Sequence, residues 1–388
     1  MRNNKWLKFL LITASHILVA ALAVSVMLLL QPNKDTKLDK IQTLIDEKYI
    51  GQTDPAVLED AAAAAMVDAL PDRWSYYISA EQYASHMEQK KNAYVGIGIT
   101  ITVRADGTGF DVLLVEPGGP AQEGGVLPGD ILTHVEGELV AELGTDGAAA
   151  LIKGKEGTKV NVTFLRGQEV LDLELERRTI QVAVAQWQML HNNIGYIKIN
   201  NFNTNCADHT IQAVKELTEQ GATALVFDVR NNPGGYVDEL VKLLDHLLPE
   251  GPLFRSVDYQ GKEELEKSDK NCVELPMAVL MNGNSYSAAE FFAAALEEYD
   301  WAVTVGDPTT GKSYYQVTYQ LGDGSAVNIS IGEYTTPNGR SLADEGGLVP
   351  NIPVPVDNQT AANIYAGILE PADDPQIQAA VTALLQTP

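Results

Sequence analysis

The chain has 388 residues, enough for roughly two or three domains at about 100–200 residues each. It is 45% hydrophobic and 20% charged, which suits domains with real cores, and its formal charge of -25 argues against nucleic acid as a partner, since phosphate binding needs clustered Lys and Arg. Its two cysteines, Cys206 and Cys272, form no CxxC or Cys/His cluster, so a structural zinc site is not expected; they could pair in an oxidising compartment or remain free thiols.

The N-terminal residues Met1–Lys8 are basic, and Phe9–Leu30 follow without a charge. Such a run is about 33 Å long as a helix, enough to cross a bilayer, and the basic flank predicts a cytoplasmic N-terminus with the remainder exported. A cleaved signal peptide is the rival, because Ala21-Leu22-Ala23 is a small-residue site, but the apolar run continues past it. We therefore expect an uncleaved transmembrane helix, with the rest of the chain held at the cell membrane on its extracytoplasmic side. No cysteine follows the run directly, which argues against a lipid anchor.

Beyond a polar linker, Leu38, Ile41, Leu44 and Ile45 recur at helical spacing, and Asp54-Pro55 reads as a cap and first-turn proline opening an Ala-rich helix to Leu70. A third helix is expected over 81–91. From Tyr94 the texture changes to β-like runs with glycine punctuation, at 95–103, 109–115, 129–135, 158–165 and 169–177, with short helices near 119–124 and 146–152. From 193 strands and helices alternate: strands at 193–200, 223–229, 276–281 and 301–305, helices at 207–219, 236–248 and 287–299. This pattern predicts an α/β domain with a largely parallel sheet. Runs at 313–321 and 325–335 add strands, and 374–385 a last helix.

Three loops could carry chemistry. Gly306-Asp-Pro-Thr-Thr-Gly311-Lys312-Ser313 matches the phosphate-binding P-loop pattern, and Ala224–Asp228 resembles its partner strand. A P-loop must open a helix, however, and 313–321 alternates like a strand; the partner strand also comes first, and the loop is expected outside the cytoplasm. A nucleotide triphosphatase is disfavoured. Asn282–Glu290 sets Ser287 at a strand-to-helix turn, where free N–H groups can stabilise an oxyanion, although serine there also serves as an ordinary N-cap. Asp228–Gly235 is a second such turn, whose paired glycines allow close backbone approach to a ligand or simply make it tight. None of the six histidines lies in a recognisable nucleophile motif. Lys312 is the alternative base, provided burial lowers its pKa from about 10.4 toward 7–8, a cost of about 3–4 kcal/mol.

Together these segments resemble peptidase family S41, the C-terminal processing (tail-specific) peptidases. Leu70–Tyr77 resembles the family motif ahead of its PDZ domain; Tyr94–Thr100 and Val115–Ile131 resemble the PDZ domain itself. Asp228–Gly235 resembles D-x-R-x-N-P-G-G, and Tyr334–Arg340 resembles Y-x-T-P-x-G-R. The resemblance implies a multi-domain α/β protein: 1–35 stub and transmembrane anchor, 36–92 helical region, 93–178 barrel-like PDZ domain, 179–356 crotonase-like serine protease core, and 357–388 helical region. It implies Ser287 as nucleophile and Lys312, 25 residues on, as base, with Gln316 orienting the amine. Ala288 with Gly234 or Gly235 would form the oxyanion hole, and Val95, Gly96, Ile97 and Gly98 would hold the carboxylate of an apolar substrate tail. No metal or organic cofactor is implied. Relatives often pair two copies through terminal helices, so a homodimer is a further implied partner. Departures are Ala289 and Ser313, which remove no catalytic side chain, and Lys153 where the family often has an arginine coupling the PDZ domain to the site. Glu298, about 16 Å along a helix from Ser287, is expected to be structural. A catalytically silent PDZ sensor on the same fold is the competing reading.

Overall fold

The structure, a computed structural model, describes residues 36–386 apart from 105, 182 and 368, together with residues 9, 13–16 and 18–19. The expected anchor at Phe9–Leu30 lies for the most part outside the described residues. Among the described residues no helix is long and apolar enough to cross a membrane.

The chain divides into two units at Ala63. In the first, helix Lys37–Lys48 starts with a capping box, in which the Asp39 N–H donates to Thr36 Oγ1 and the Thr36 N–H donates to the Asp39 carboxylate at 2.7 Å. Helix Pro55–Asp68 follows Asp54, whose carboxylate accepts the Ala56 N–H at 2.9 Å.

The second unit is built on a sheet whose strands run in the order Ala185–Met189, Ile194–Ile199, Ala224–Asp228, Met277–Met281, Ala302–Gly306 and Ile352–Pro353. All neighbours are parallel except the first pair. Ala224–Asp228 and Met277–Met281 are buried throughout, which is why both read as unbroken apolar runs: helices cover both faces of a parallel sheet. Leu225, Phe227, Val279 and Met281 face helices Cys206–Glu219, Val237–Leu247 and Ala288–Glu298. Val226, Ala278 and Leu280 face Ile377, Ala380 and Leu384 of helix Pro375–Gln386. The period of two along each strand thus builds two cores.

A second sheet turns on the long strand Ala326–Thr335. It pairs with Tyr76–Ile78 and Gly251–Asp258 along one edge and with Tyr314–Gln320 along the other. Gly251–Asp258 and its partner Glu263–Ser268 were not expected from sequence, because charged residues interrupt their alternation.

Residues 93–181 fold around a separate core of Ile97, Phe110, Val112, Leu132, Val160, Val162 and Phe164. The sheet order is Ile99–Val103, Phe110–Val115, Ile131–Val135, Lys159–Arg166, Glu169–Glu176. The run expected over 95–103 is two strands, not one. It breaks at Ile97-Gly98, where Gly98 has φ 78°, and Ala93–Gly96 leaves to pair with Arg178–Gln181. Helix Val140–Ile152 begins earlier than expected and kinks at Gly144, φ 69°. Its C-terminal carbonyls are capped by Arg177, which donates to Ile152 and Leu151, both at 2.8 Å. A Cβ at Gly154 would lie 2.9 Å from Arg177 Nε, so that glycine makes room for the cap.

Candidate active site

Strand Met277–Met281 delivers the turn that carries Ser287, and helix Ala288–Glu298 starts immediately after it. Ser287 stands at the N-cap position with φ 59° and ψ -126°. That conformation costs a non-glycine residue of order 1–3 kcal/mol and persists only where its surroundings fix it. Here they do. The Ser287 N–H donates to Glu290 at 2.9 Å, and the Tyr286 N–H donates to the Asn232 carbonyl at 3.1 Å. The buried Ser285 hydroxyl donates to the Val229 carbonyl at 2.7 Å. The Ala288 N–H, in the first turn of the helix, has no hydrogen-bond partner among the described residues.

The second loop leaves strand Ala224–Asp228 and is pinned from below. Buried Arg230 donates to Asp228 at 2.6 and 2.9 Å, pairs with Asp374 at 2.8 Å and donates to Gln376 at 2.9 Å. Tyr196 donates to Asp228 at 2.6 Å. Burial works against the Asp228 charge, yet Arg230 holds its carboxyl below the usual carboxylate range. Above this network Gly234 and Gly235 back onto the serine turn. A Cβ on Gly234 would lie 2.9 Å from Ala288 N and from Ser287 Cβ; one on Gly235 would lie 2.2 Å from the Phe202 carbonyl carbon. The Gly234 N–H donates to Asn232 Oδ1 at 2.8 Å, so of the two glycines it is Gly235 whose N–H has no hydrogen-bond partner among the described residues.

The third loop, between strands Ala302–Gly306 and Tyr314–Gln320, opens no helix. Its Gly311 and Lys312 N–H groups, which a P-loop would turn to phosphate, donate instead to the Glu290 carboxylate at 2.6 and 2.8 Å. The nucleotide reading is thereby removed. Glu290 is fully buried and also accepts from Ser287 and Thr309, and burial raises its pKa. One carboxylate therefore ties the serine turn to the lysine loop.

Ser287, Lys312, Gln316, Gly234 and Gly235 line one cleft of ≈ 620 Å³. The Ser287 hydroxyl and the Lys312 amine are not hydrogen-bonded there. The ammonium lies 4.6 Å over the Trp74 ring and 5.9 Å from that of Tyr286. Burial, reinforced by the Lys90 charge, lowers the Lys312 pKa to about 8. Gln316 does not reach the amine either: its Nε2 donates to Ser330 and to the Tyr314 carbonyl, both at 2.9 Å, beside a bulge at Tyr315/Gln316. Glu298 accepts from Thr336 and Asn338, both at 2.7 Å, and pairs with Arg340. Cys206 and Cys272 are free thiols.

Sequence reasoning passed over Trp74, Asn232 and the positioning role of Glu290. Two of these had a local signal: Glu290 in the Ser287-x-x-Glu290 spacing of a capping box, and Asn232 in the Asx turn that Asn-Pro-Gly favours. In the 93–181 domain, Val95 and Gly96 are occupied in the ladder with Arg178 and Thr179. Ile97 and Gly98 form the turn into the edge strand Ile99–Val103, and their carbonyls accept from Ala121 and Glu116 at 2.9 Å.

A strained serine, two backbone N–H groups without partners among the described residues and an amine of lowered pKa have the chemistry expected of a serine-type hydrolase. Comparison with known proteins agrees. The profile of peptidase family S41 matches residues 193–354, and a PDZ domain profile matches residues 112–166. The carboxy-terminal processing protease CtpA of Bacillus subtilis (strain 168) is 34% identical over 319 residues, covering 81% of this chain and 68% of that protein. A "Probable CtpA-like serine protease" of Staphylococcus aureus (strain N315) is 29% identical, covering 84% of this chain and 66% of that protein. The solved structure of a "Putative S41 protease" from Bacteroides fragilis NCTC 9343 shares the fold, with TM-score 0.57, 16% identity, and coverage of 92% of this chain and 98% of that one. The chain belongs to peptidase family S41, the C-terminal processing serine peptidases.

Proposed function

We propose that this chain is a membrane-anchored endopeptidase that cuts exported proteins after its PDZ domain has captured their C-terminal tails, and that it works through a Ser287–Lys312 dyad. Neutral Lys312 accepts the Ser287 proton as Ser287 attacks the scissile carbonyl. The N–H groups of Ala288 and Gly235 stabilise the tetrahedral oxyanion, Lys312 returns the proton to the leaving amine, and water then hydrolyses the acyl-enzyme. An apolar tail would add as a strand along Ile99–Val103, with its carboxylate on N–H groups of the Val95–Gly98 segment. Phe9–Leu30 would be the anchor, leaving the catalytic part extracytoplasmic; pairing of two copies through terminal helices belongs to the same proposal.

The observation that carries this reading is the backbone of Ser287, strained at φ 59° in the cleft that also holds the amine of Lys312. The amine rests on Trp74, a contact that favours the ammonium. Loss of the proton weakens that attraction, so release from the ring and competence as a base come together. Gln316, 2.9 Å from Ser330, would need a new rotamer to orient the freed amine. The parked lysine is also the one feature that favours a silent PDZ sensor. Incubation with an unfolded protein ending in an apolar tail separates the two: cleavage by wild type, lost in Ser287→Ala and in Lys312→Ala, supports the dyad. Equal cleavage by all three proteins refutes it, and tail binding without cleavage by wild type supports the sensor.

A further inference from the structure

The cleft around Ser287 is lined by cations in a chain whose acids outnumber its bases 52 to 27. Arg73, Lys90 and Lys312 line it, and among the described residues no aspartate or glutamate does. Neither Arg73, Lys90 nor Lys312 makes an ion pair among the described residues. Two acids act on Lys312 from nearby, Asp72, which also accepts from the Ser75 hydroxyl at 2.6 Å, and Glu290, held by the donors described above; neither forms an ion pair with Arg73, Lys90 or Lys312 among the described residues. Arg73 lies 4.3 Å over the Trp74 ring, and the Lys90 amine lies 5.5 Å over the Tyr236 ring.

Lys90 is fixed to the catalytic body rather than waving from a surface. Its carbonyl accepts from the Thr204 hydroxyl at 3.2 Å, and Asn92, two residues on, donates to the Thr204 carbonyl at 2.9 Å. The same segment bonds the oxyanion loop, with the Phe202 N–H donating to the Gly234 carbonyl at 2.8 Å. Unpaired cations in a partly desolvated, aromatic-walled cleft are receptors for an anion that arrives with the ligand.

We propose that Arg73 and Lys90 form a carboxylate-recognising wall of the cleft, so that substrate chains presenting a carboxylate next to the scissile bond are preferred. The carboxylate is supplied by an acidic side chain flanking the cut or by the free terminus of a short peptide. The inference rests on the peptidase reading above, and it names a substrate class for that site.

The test uses the full chain in detergent with a cleavable peptide of apolar tail, in which glutamate is scanned across the positions flanking the cut, each with a glutamine twin. A second pair compares a free with an amidated C-terminus. At one or two positions glutamate should raise kcat/KM by about tenfold over glutamine, chiefly through KM, as for a charge-assisted hydrogen bond. The preference should shrink at high salt. It should vanish in Lys90→Gln or Arg73→Gln and reverse in Lys90→Glu, with thermal melts reporting that each variant is folded. An advantage confined to the free terminus, and lost in the same variants, assigns the wall to the α-carboxylate; one that persists in them belongs to the PDZ domain and overturns the proposal. Equal cleavage of every glutamate and glutamine twin, with amidation neutral, also overturns it. Binding of the twins to Ser287→Ala, followed by fluorescence anisotropy, reads the same preference without turnover. A failure of the peptidase reading is thereby told apart from a failure of this one.

Discussion

Raising the pH from 7 to 9 should increase kcat/KM about tenfold, because with the Lys312 pKa at about 8 the neutral amine grows from roughly one tenth to roughly nine tenths of the population. The same pKa carries a stability consequence of definite sign. Lys312 titrates at 10.5 when unfolded and at about 8 when folded, so between those values the unfolded chain holds the extra proton and stability rises with pH. Below pH 8 both states are protonated and the whole cost of burying the ammonium is present, about 3 kcal/mol at roughly 1.4 per tenfold. Replacing the amine by an apolar chain of similar length, Lys312→Met, removes that cost. It also loses the ring contact on Trp74, worth about 1 kcal/mol. The variant should therefore be more stable than wild type by about 2 kcal/mol at pH 7, a rise in Tm of roughly 4–8 °C. The advantage should fade as the pH approaches 10.5, while activity is lost at every pH. Calorimetry of both proteins at pH 7, 9 and 10.5, with kcat/KM over the same range, checks both limbs. Activity flat from pH 7 to 9, with Lys312→Met no more stable at pH 7, would refute a buried amine of lowered pKa.

Glu290→Gln keeps the shape of the side chain but turns one acceptor into a donor facing N–H groups. It should cost about 2–4 kcal/mol of stability and lower kcat far more than it raises KM, since the substrate does not touch it; denaturant melts and steady-state kinetics read the two effects. Asp374→Asn leaves Arg230 short of a counter-charge in a buried site and should cost about 3 kcal/mol. It should also depress kcat, because Arg230 holds the base of the loop that ends in Gly234 and Gly235; a variant that melts normally and cleaves normally would show that the loop stands without it.

What the sequence made legible follows from where its signals are local. Strand Met277–Met281 shows as five apolar residues because both of its faces are covered. Strand Glu263–Ser268 stays hidden because both of its faces carry charge, Glu263 and Lys267 on one and Glu264 and Glu266 on the other, a pattern shared with loops. The 95–103 run looked continuous because Gly98 supplies a positive φ without interrupting the β-branched sequence around it. In the site, Ser287 and Lys312 could be named through motif resemblance and their spacing of 25. The slot that receives the amine could not, because Trp74 lies far from Lys312 along the chain and no periodicity links them. The occupation of the Gly234 N–H by the Asn232 side chain is by contrast local, an Asx turn across Asn232-Pro233-Gly234, and it decides between two glycines that the motif treats alike.

The three loops of the cleft share a logic that explains why the nucleophile can remain strained. Each enters from the end of a strand of the parallel sheet, where the backbone leaves its ladder and its polar groups need new partners. Glu290 satisfies those of the serine turn and the lysine loop at once, and Asn232 joins the serine turn to the glycine loop through its backbone carbonyl. Arg230 then fixes the glycine loop to residues 374–376, at the start of the C-terminal helix. Main-chain geometry at Ser287, Ala288 and Gly235 is thus held on three sides before any substrate arrives. The groups left adjustable are side chains, the Lys312 amine on its aromatic rest and the Gln316 amide on Ser330. On the dyad proposed above, switching between a resting and a working site would proceed by rotamer and proton changes alone, with the N–H groups of Ala288 and Gly235 held by the fold.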